Sequence, residues 1–341
     1  MTQNAPAKGN QGAGATQSGS FTRFAGGLLR RQEAGIFAVA VILFVYFQFS
    51  NSAFLTQSNL TTLSQAIAPI AIMASGLVMV MILGEIDLSV GSTFGFAPAI
   101  MYIAYDQFFL ILPLAVLVGL LVCAVIGFIN GAVRVYFNVP SFVVTLGTFF
   151  LLGGLTVILT GGFPQNAPGT ATREILGNYP YSEILWTVGI FFVMHLLLKN
   201  TRWGLHTFAT GGNFTGAREA GIKVNWIRIG SFMLCATLAG FAGILEAMRI
   251  GSIDPLAGGA DIMFLAISAA VIGGTPLAGG VGTMIGAFLG AVALQTLRQG
   301  FTLQGVSSNT FNVILGVAVI VVMILNIYYF GRLRTARKGS S

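Results

Sequence analysis

Residues 60–105 read LTTLSQAIAPIAIMASGLVMVMILGEIDLSVGSTFGFAPAIMYIAY, two apolar stretches on either side of the short polar segment GEIDLSVGS at 84–92. A helix needs about 20 predominantly apolar residues to cross the hydrocarbon core of a membrane. The first stretch meets this length, and the second is shorter and bordered by glycine and proline. We therefore expect an all-α membrane protein in which some helices are short or interrupted.

Similar apolar runs fill the rest of the chain. Of its 341 residues, 55% are hydrophobic and only 8% are charged, whereas roughly 25% are charged in a soluble domain. The runs predict a polytopic protein with about ten transmembrane helices, near 35–50, 60–83, 90–105, 108–133, 141–161, 184–199, 229–250, 262–275, 281–299 and 311–330. This count excludes a large domain outside the membrane.

Basic residues set the expected orientation. They cluster before the first run and after the last, which predicts that the N and C termini are both cytoplasmic. Alternating the ten segments then puts the 199–228 loop inside and leaves only Arg173, Arg249 and Arg298 of the 17 basic residues outside. Because the positive charges lie at helix ends, we expect contact with membrane lipid and no nucleic-acid partner.

The chain divides into three predicted parts. Residues 1–33 have a composition with little to bury and are expected to form a disordered cytoplasmic tail; a cleaved signal peptide is the alternative. Residues 34–331 form the transmembrane domain, and 332–341 form a basic cytoplasmic tail.

A weak internal repeat divides the transmembrane domain into two halves. Gly84-Glu85-Ile86-Asp87 matches Gly251-Ser252-Ile253-Asp254 at an offset of 167, which superposes 60–161 on about 227–328. One match follows an even-numbered span and the other an odd-numbered span, so the halves are expected to be inverted. Short or interrupted segments at matching positions of inverted repeats are typical of transporters.

Two carboxylates in the first break are the strongest candidates for function. Ionisable groups at membrane depth are costly and usually functional, so Glu85, Asp87 and the neighbouring Ser89 are candidate pathway residues. In the alternative interpretation, Asp87 or Ser89 caps the following helix by accepting its first N–H groups.

Neutral polar residues around the turn at Val139-Pro140 form a second candidate group. Asn130, Ser141 and Thr145 could bind the hydroxyl groups of a substrate, although such residues also hydrogen-bond between packed membrane helices. The chain has two histidines, His195 and His206, and neither has a carboxylate or cysteine nearby in sequence. With Cys123 and Cys235 both inside apolar runs, we expect no metal site, cofactor or catalytic residue.

The 199–228 loop contains GGNFTGAREAGIKV at 211–224, which predicts a short amphipathic helix with small or apolar residues at spacings of three and four. A short helix outside the membrane with nothing of its own to pack on suggests a docking surface for a partner protein. The alternative is a helix on the membrane surface, held there by Arg218, Lys223 and Arg228.

Three motifs together resemble a known family. GEIDLSVGS at 84–92, GGNxxxARxAGI across 211–222 and GGTPLAGGVG at 273–282 are similar to those of the permease subunits of ribose, xylose and arabinose type ABC sugar importers. The resemblance covers roughly residues 35–330. It departs at 216–219, where Gly-Ala-Arg-Glu stands in place of the family's two alanines followed by Arg-Leu.

The resemblance implies a permease in a bacterial inner membrane that carries a monosaccharide. Its implied partners are a cytoplasmic ABC ATPase, a periplasmic sugar-binding protein and a second permease copy or a related permease. It also implies that the loop at 211–222 couples to the ATPase, with these residues: Gly212, Asn213, Ala217, Arg218, Ala220 and Gly221. No GxxxxGK[ST] loop occurs in the chain, which fits ATP hydrolysis by a separate chain.

Two other classes of protein are consistent with parts of the sequence. A proton-coupled secondary transporter could use Glu85 and Asp87 as a proton relay, and inverted repeats are equally typical of that class. An intramembrane hydrolase is disfavoured because the chain has no GxGD motif, and Ser75 lacks the preceding glycine of a GxSG motif.

Overall fold

The computed structural model describes residues 32–307, 309–321 and 324 and is mostly helical. The first half contains five long helices: α1 (Gln32–Ser50), α2 (Gln57–Ile82), α3 (Val90–Asp106), α4 (Leu112–Tyr136) and α5 (Ser141–Thr160). A connecting segment follows with strand β1 (Gln165–Asn166), the single turn α6 (Ala171–Arg173) and a π-helical turn at Glu174–Asn178.

The remaining elements complete the bundle. They are α7 (Ser182–Asn200), α8 (Arg202–Gly212), α9 (Phe214–Glu219), α10 (Val224–Ile250), β2 (Ser252–Ile253), α11 (Gly259–Ile272), α12 (Met284–Leu303) and α13 (Asn309–Val321). β1 and β2 pair antiparallel, with Gln165 opposite Ile253.

A helix lies at each of the ten predicted apolar segments, and six of the described helices are long and apolar enough to cross a membrane: α1, α2, α4, α5, α7 and α10. The described part of α1 starts at Gln32, within the predicted tail 1–33, and Glu33 lies in its first turn, where an acidic residue is favoured. The rest of the predicted N-terminal tail and all of the C-terminal tail lie outside the described residues.

The helix bounds follow the 167-residue offset found in the sequence. α2 begins at Gln57 and α10 at Val224, and the break after each contains a glycine with positive φ, Gly84 at 72° and Gly251 at 79°. Packing follows the same correspondence: α2 contacts α12 as α10 contacts α4, and α3 contacts α10 as α11 contacts α2. The two halves are therefore similar in element order and in contacts.

α2 and α10 pack against each other and contribute many of the residues of the buried core, which also includes residues of α3, α4, α11 and α12. Every residue of α2 from Ile67 to Ile82 is buried. Glycines bring backbones close together here: a Cβ on Gly243 of α10 would overlap the carbonyl oxygen of Phe94 in α3. Small residues at helix contacts allow this close approach in membrane proteins.

Two short helices, α3 and α11, each follow a polar break. α11 has 14 residues, and at 1.5 Å rise per residue it spans only about 21 Å, less than the roughly 30 Å hydrocarbon core. The two helices meet at glycines, since a Cβ on Gly91 would overlap the carbonyl oxygen of Gly259. The sequence had already indicated that the first of them, α3, is short for a membrane span.

Candidate functional site

The three motifs that suggested a family meet at one end of the bundle, which we call the motif end. The N–H of Gly280, in the loop between α11 and α12, donates to the carbonyl of Ile82 at the end of α2, with a distance of 2.7 Å. Gly211 at the end of α8 lies against the same carbonyl, and a Cβ at this position would overlap its oxygen. Three segments that are far apart in the sequence therefore share one backbone contact point.

Glu85 lies beside this point and is the centre of an ionic cluster. Only 4% of its side chain is exposed. Arg134 at the end of α4 donates from Nε to both carboxylate oxygens at 2.9 Å, and Arg228 in the first turns of α10 lies with its Nε 3.4 Å from Oε1. Two cations therefore face one buried carboxylate and join three segments of the chain.

Arg228 also extends the cluster to the loop helices. Its guanidinium carbon lies 4.3 Å from the centre of the Phe214 ring, a cation–π contact. Phe214 is the first residue of α9. A continuous set of contacts therefore runs from α9 through Arg228 to Glu85 and the break between α2 and α3.

Asp87 has a different environment from Glu85. It is fully buried, and its Oδ1 accepts hydrogen bonds from the backbone N–H of Ser89 at 2.9 Å and from the Ser89 hydroxyl at 2.5 Å. Among the described residues Asp87 Oδ2 has no hydrogen-bond partner, and the thiol of Cys235 lies beside the carboxylate. Asp87 thus fixes the turn that leads into α3, close to the capping role that the sequence allowed.

The other predicted pathway residues join the same break to α4 and α5. Asn130 donates to the Ser89 hydroxyl at 3.0 Å. Ser141 accepts from the N–H of Ile86 at 3.2 Å, and Thr145 accepts from the N–H of Leu88 at 3.1 Å. All six predicted pathway residues are buried and lie close together. Glu85 pairs with the two arginines and Asn130 also accepts from the Thr148 hydroxyl at 2.6 Å, whereas the side chains of the other four bond to one another, to Asn130 or to nearby backbone.

A short helix, α9, lies within the predicted segment 211–224, and the 199–228 loop contains a second helix, α8, which ends at Gly212. Asn213 ends α8 and begins α9, where its Oδ1 accepts from the N–H of Gly216 at 3.0 Å. The expectation that this helix has nothing of its own to pack on is wrong, because Thr207 and Thr210 of α8 and Ala217 of α9 are buried against the bundle. A helix held only by the membrane surface is also inconsistent with Arg228, which pairs with Glu85.

Five of the six predicted coupling residues are exposed along one surface of α9 and its flanking turns: Gly212, Asn213, Arg218, Ala220 and Gly221. Ala217 differs, since its side chain faces the protein and supports α9 from below. Gly221 has φ of +81°, a conformation that residues with a Cβ rarely adopt. We call the five exposed residues the coupling surface.

Comparison with known proteins gives the family. The family model for the permease component of branched-chain amino acid transport systems matches residues 59–323. This chain belongs to that permease family. The match covers both repeat halves and the whole motif end, and it makes the permease a multi-pass membrane protein.

Named relatives of the permease are import permeases. It is 36% identical over 309 residues to the xylose/arabinose import permease XylH of Sulfolobus acidocaldarius, covering 88% of this chain and 86% of the relative. It is 34% identical to the ribose import permease RbsC of Escherichia coli, covering 86% and 93%, and 34% identical to the autoinducer 2 import system permease LsrC of Salmonella typhi, covering 89% and 87%. No solved structure matches the chain significantly. The resemblance to sugar importer permeases is confirmed.

Sequence reasoning missed the partners of Glu85. Arg134 was considered only as a positive charge and Arg228 only as an anchor at the membrane surface, although charged side chains are rarely buried without a partner. It also missed a second ionic cluster at the opposite end, where Arg249 pairs with Glu183 at 3.3 Å and with Glu246 at 3.0 Å. The members of each cluster are far apart in the sequence, so no local pattern pointed to either cluster. The exception is the pair Glu246 and Arg249, which are three residues apart on one helix.

Proposed function

We propose that this permease is the transmembrane subunit of an ABC importer that carries a monosaccharide delivered by a periplasmic binding protein. The observation that carries the proposal is the meeting of the three family motifs at one end, on a chain whose relatives are named import permeases for xylose/arabinose and ribose. ATP hydrolysis belongs to a separate cytoplasmic chain, and this subunit is not an enzyme.

The proposed topology has ten crossings, inverted halves and both termini in the cytoplasm of a bacterial cell, with the permease in the inner membrane. The motif end is then cytoplasmic. Support comes from the distribution of basic residues: Arg134, Arg202, Arg218 and Arg228 lie at the motif end, whereas Arg249 and Arg298 lie at the opposite end of their helices.

The coupling surface is the proposed contact with the ATPase. α9 is too short to be stable alone, so it is held by the buried Ala217 and by the contact between Phe214 and Arg228. A push on α9 would reach Glu85 through Arg228 and so reach the break that begins α3. This path gives Glu85 a role in coupling that does not require it to touch the sugar.

The pathway role of Glu85, Asp87, Ser89, Asn130, Ser141 and Thr145 stays a proposal in a narrower form. Their hydrogen bonds within the protein favour a hinge that fixes α3 against α4 and α5. In this form the residues open or close the pathway by moving together, and a hydroxylated substrate meets them only when the network separates.

A second permease copy, or a related permease, is the proposed partner within the membrane. α5 buries only Ser141, Thr145, Leu152, Thr156 and Thr160 of its 20 residues. Its remaining surface is largely apolar and is available for lipid and for a second copy, as ABC importers with two permeases require.

The proton-coupled alternative has less support. Glu85 is paired with two arginines, and the relatives are import permeases. Reconstituted vesicles distinguish the two mechanisms: we expect sugar uptake only with the ATPase, the binding protein and ATP present. Uptake driven by a pH gradient in the absence of the ATPase would reject the importer.

The coupling surface is tested by bulk at Ala220, which is exposed and has φ of −74°. Ala220→Trp is expected to abolish co-purification of the ATPase and uptake while membrane abundance stays normal. The matched control is Ala171→Trp at an exposed position near the opposite end, which should still bind the ATPase. Normal recovery of the ATPase with Ala220→Trp would place the contact elsewhere.

A further inference from the structure

A cavity lined by both polar and apolar side chains lies in the half of the bundle opposite the motif end. Its volume is about 360 Å³, and α2, α10, α11 and α12 form its walls. Its lining includes Thr62 in the second turn of α2, Arg249 in the last turn of α10 and Asp261 in the first turn of α11, which places it near those ends of the helices. Ligand cavities in proteins span about 300–1,000 Å³, so the size suits a solute no larger than a monosaccharide.

The charged groups that line this cavity balance. Glu246 and Asp261 supply two negative charges, and Arg249 and Arg298 supply two positive charges. An excess of one sign of charge would favour an ion of the opposite sign, and this lining has none. The lining instead offers both donors and acceptors without net charge, which fits a neutral solute with many hydroxyl groups.

Amide groups add hydrogen-bonding capacity that the protein does not use. Gln295 lines the cavity, is only 4% exposed, and its side chain makes no hydrogen bond to the described residues. Buried polar groups normally have partners. Pro69 in α2 has no N–H, so the carbonyl of Gln65 also lacks its helical partner, and Gln65 lines the same cavity.

The ionic groups in the wall are held in place before any solute arrives. Arg249 donates from Nε to Glu246 at 3.0 Å and lies 3.3 Å from Glu183, which is buried outside the cavity. A wall fixed in this way loses little side-chain entropy on binding. It also keeps Arg249 and Glu246 oriented toward the space between α2 and α11.

We propose that this cavity is a binding subsite for a neutral polyhydroxylated solute of monosaccharide size, contributed by a single permease chain. This inference rests on the proposed function, which places the motif end in the cytoplasm. The cavity then lies toward the periplasmic side, where the binding protein delivers the sugar. The subsite receives the solute before the hinge at Glu85 and Asp87 opens.

The first experiment compares Gln295→Leu with Gln107→Leu in the reconstituted importer with its ATPase and binding protein. Gln295→Leu fills the cavity wall with an apolar group and should lower sugar uptake about tenfold. ATPase activity stimulated by the loaded binding protein should stay within about twofold of the original, because the coupling surface is untouched. Gln107→Leu, exposed after α3, should change neither quantity.

The second experiment uses chemical labelling of a new cysteine. Cys123 and Cys235 are both fully buried, so a membrane-impermeant maleimide should react only with Thr62→Cys, and the loaded binding protein should slow this reaction. Leu256→Cys, exposed at the same end but outside the cavity, should react at an unchanged rate.

The outcomes separate the two levels of inference. If the original importer shows no ATP-dependent uptake, the proposed function fails. If it transports the sugar while Gln295→Leu transports equally well and Thr62→Cys gains no protection, the proposed function stands and the subsite is overturned.

Discussion

Gly211 offers the sharpest test of the contact that joins the coupling segment to the hinge. Gly211→Ala adds a Cβ that would overlap the Ile82 carbonyl oxygen and lie 2.8 Å from its carbon and 3.2 Å from Gly280 N. Unbonded heavy atoms prefer about 3.5–4.0 Å. α8 must therefore withdraw, which disturbs the 2.7 Å hydrogen bond from Gly280 to Ile82.

The neighbouring residue provides the matched control. Gly212→Ala is also at the end of α8, and a Cβ there meets nothing within 4 Å. Both changes gain similar helix propensity, so the difference between them isolates the steric cost, about 1–3 kcal/mol for overpacking. At roughly 2–4 °C per kcal/mol, Gly211→Ala should unfold several degrees below Gly212→Ala.

The measurement has two parts. Thermal unfolding in detergent, followed by size-exclusion of a fluorescent fusion, gives the stability difference. ATP-dependent uptake gives the functional difference, and we expect uptake to fall for Gly211→Ala and to be normal for Gly212→Ala. Equal unfolding midpoints and equal uptake for the two variants would show that the α8 end does not press on Ile82 and would refute a role for this contact in joining the coupling segment to the hinge.

Three further predictions concern the hinge and α9. Asp87→Asn should keep most of the stability because its amide oxygen still accepts from Ser89, whereas Asp87→Ala should lower the free energy of unfolding by about 1 kcal/mol or more. The same unfolding assay measures both variants, and an equal loss for both would contradict the role of Asp87 in fixing the turn. Glu85→Gln leaves Arg134 and Arg228 facing each other, so we expect the free energy of unfolding to fall by about 2–4 kcal/mol, between the values for exposed and fully buried ion pairs, and uptake to be lost. The control Glu219→Gln, on the exposed side of α9, should change neither. Full uptake by Glu85→Gln would remove its coupling role. Gly221→Ala should weaken co-purification of the ATPase because alanine is strained at the positive φ of this position, whereas Gly221→Asn should weaken it less because Asn tolerates that conformation. Equal recovery of the ATPase with the two variants would show that ATPase binding does not depend on the positive φ at Gly221.

The sequence by itself located the long helices and their order. A described helix lies at each of the ten hydrophobic runs, because a backbone in hydrocarbon must satisfy its hydrogen bonds internally and does so as a helix. The offset of 167 was also readable, since Gly84 and Gly251 are required by the positive φ at each break. The three motifs and the family followed from residue identity alone.

Only the tertiary structure decided what the polar residues contact. The pairing of Glu85 with Arg134 and Arg228, the overlap point at Gly211 and Ile82, and the burial of Ala217 all join segments distant in sequence. The same is true of the cavity lined by Gln65 and Gln295. The local sequence pattern shows which face of a helix is apolar. Which residues of two helices touch depends on how those helices pack, and that packing depends on all the helices of the bundle together.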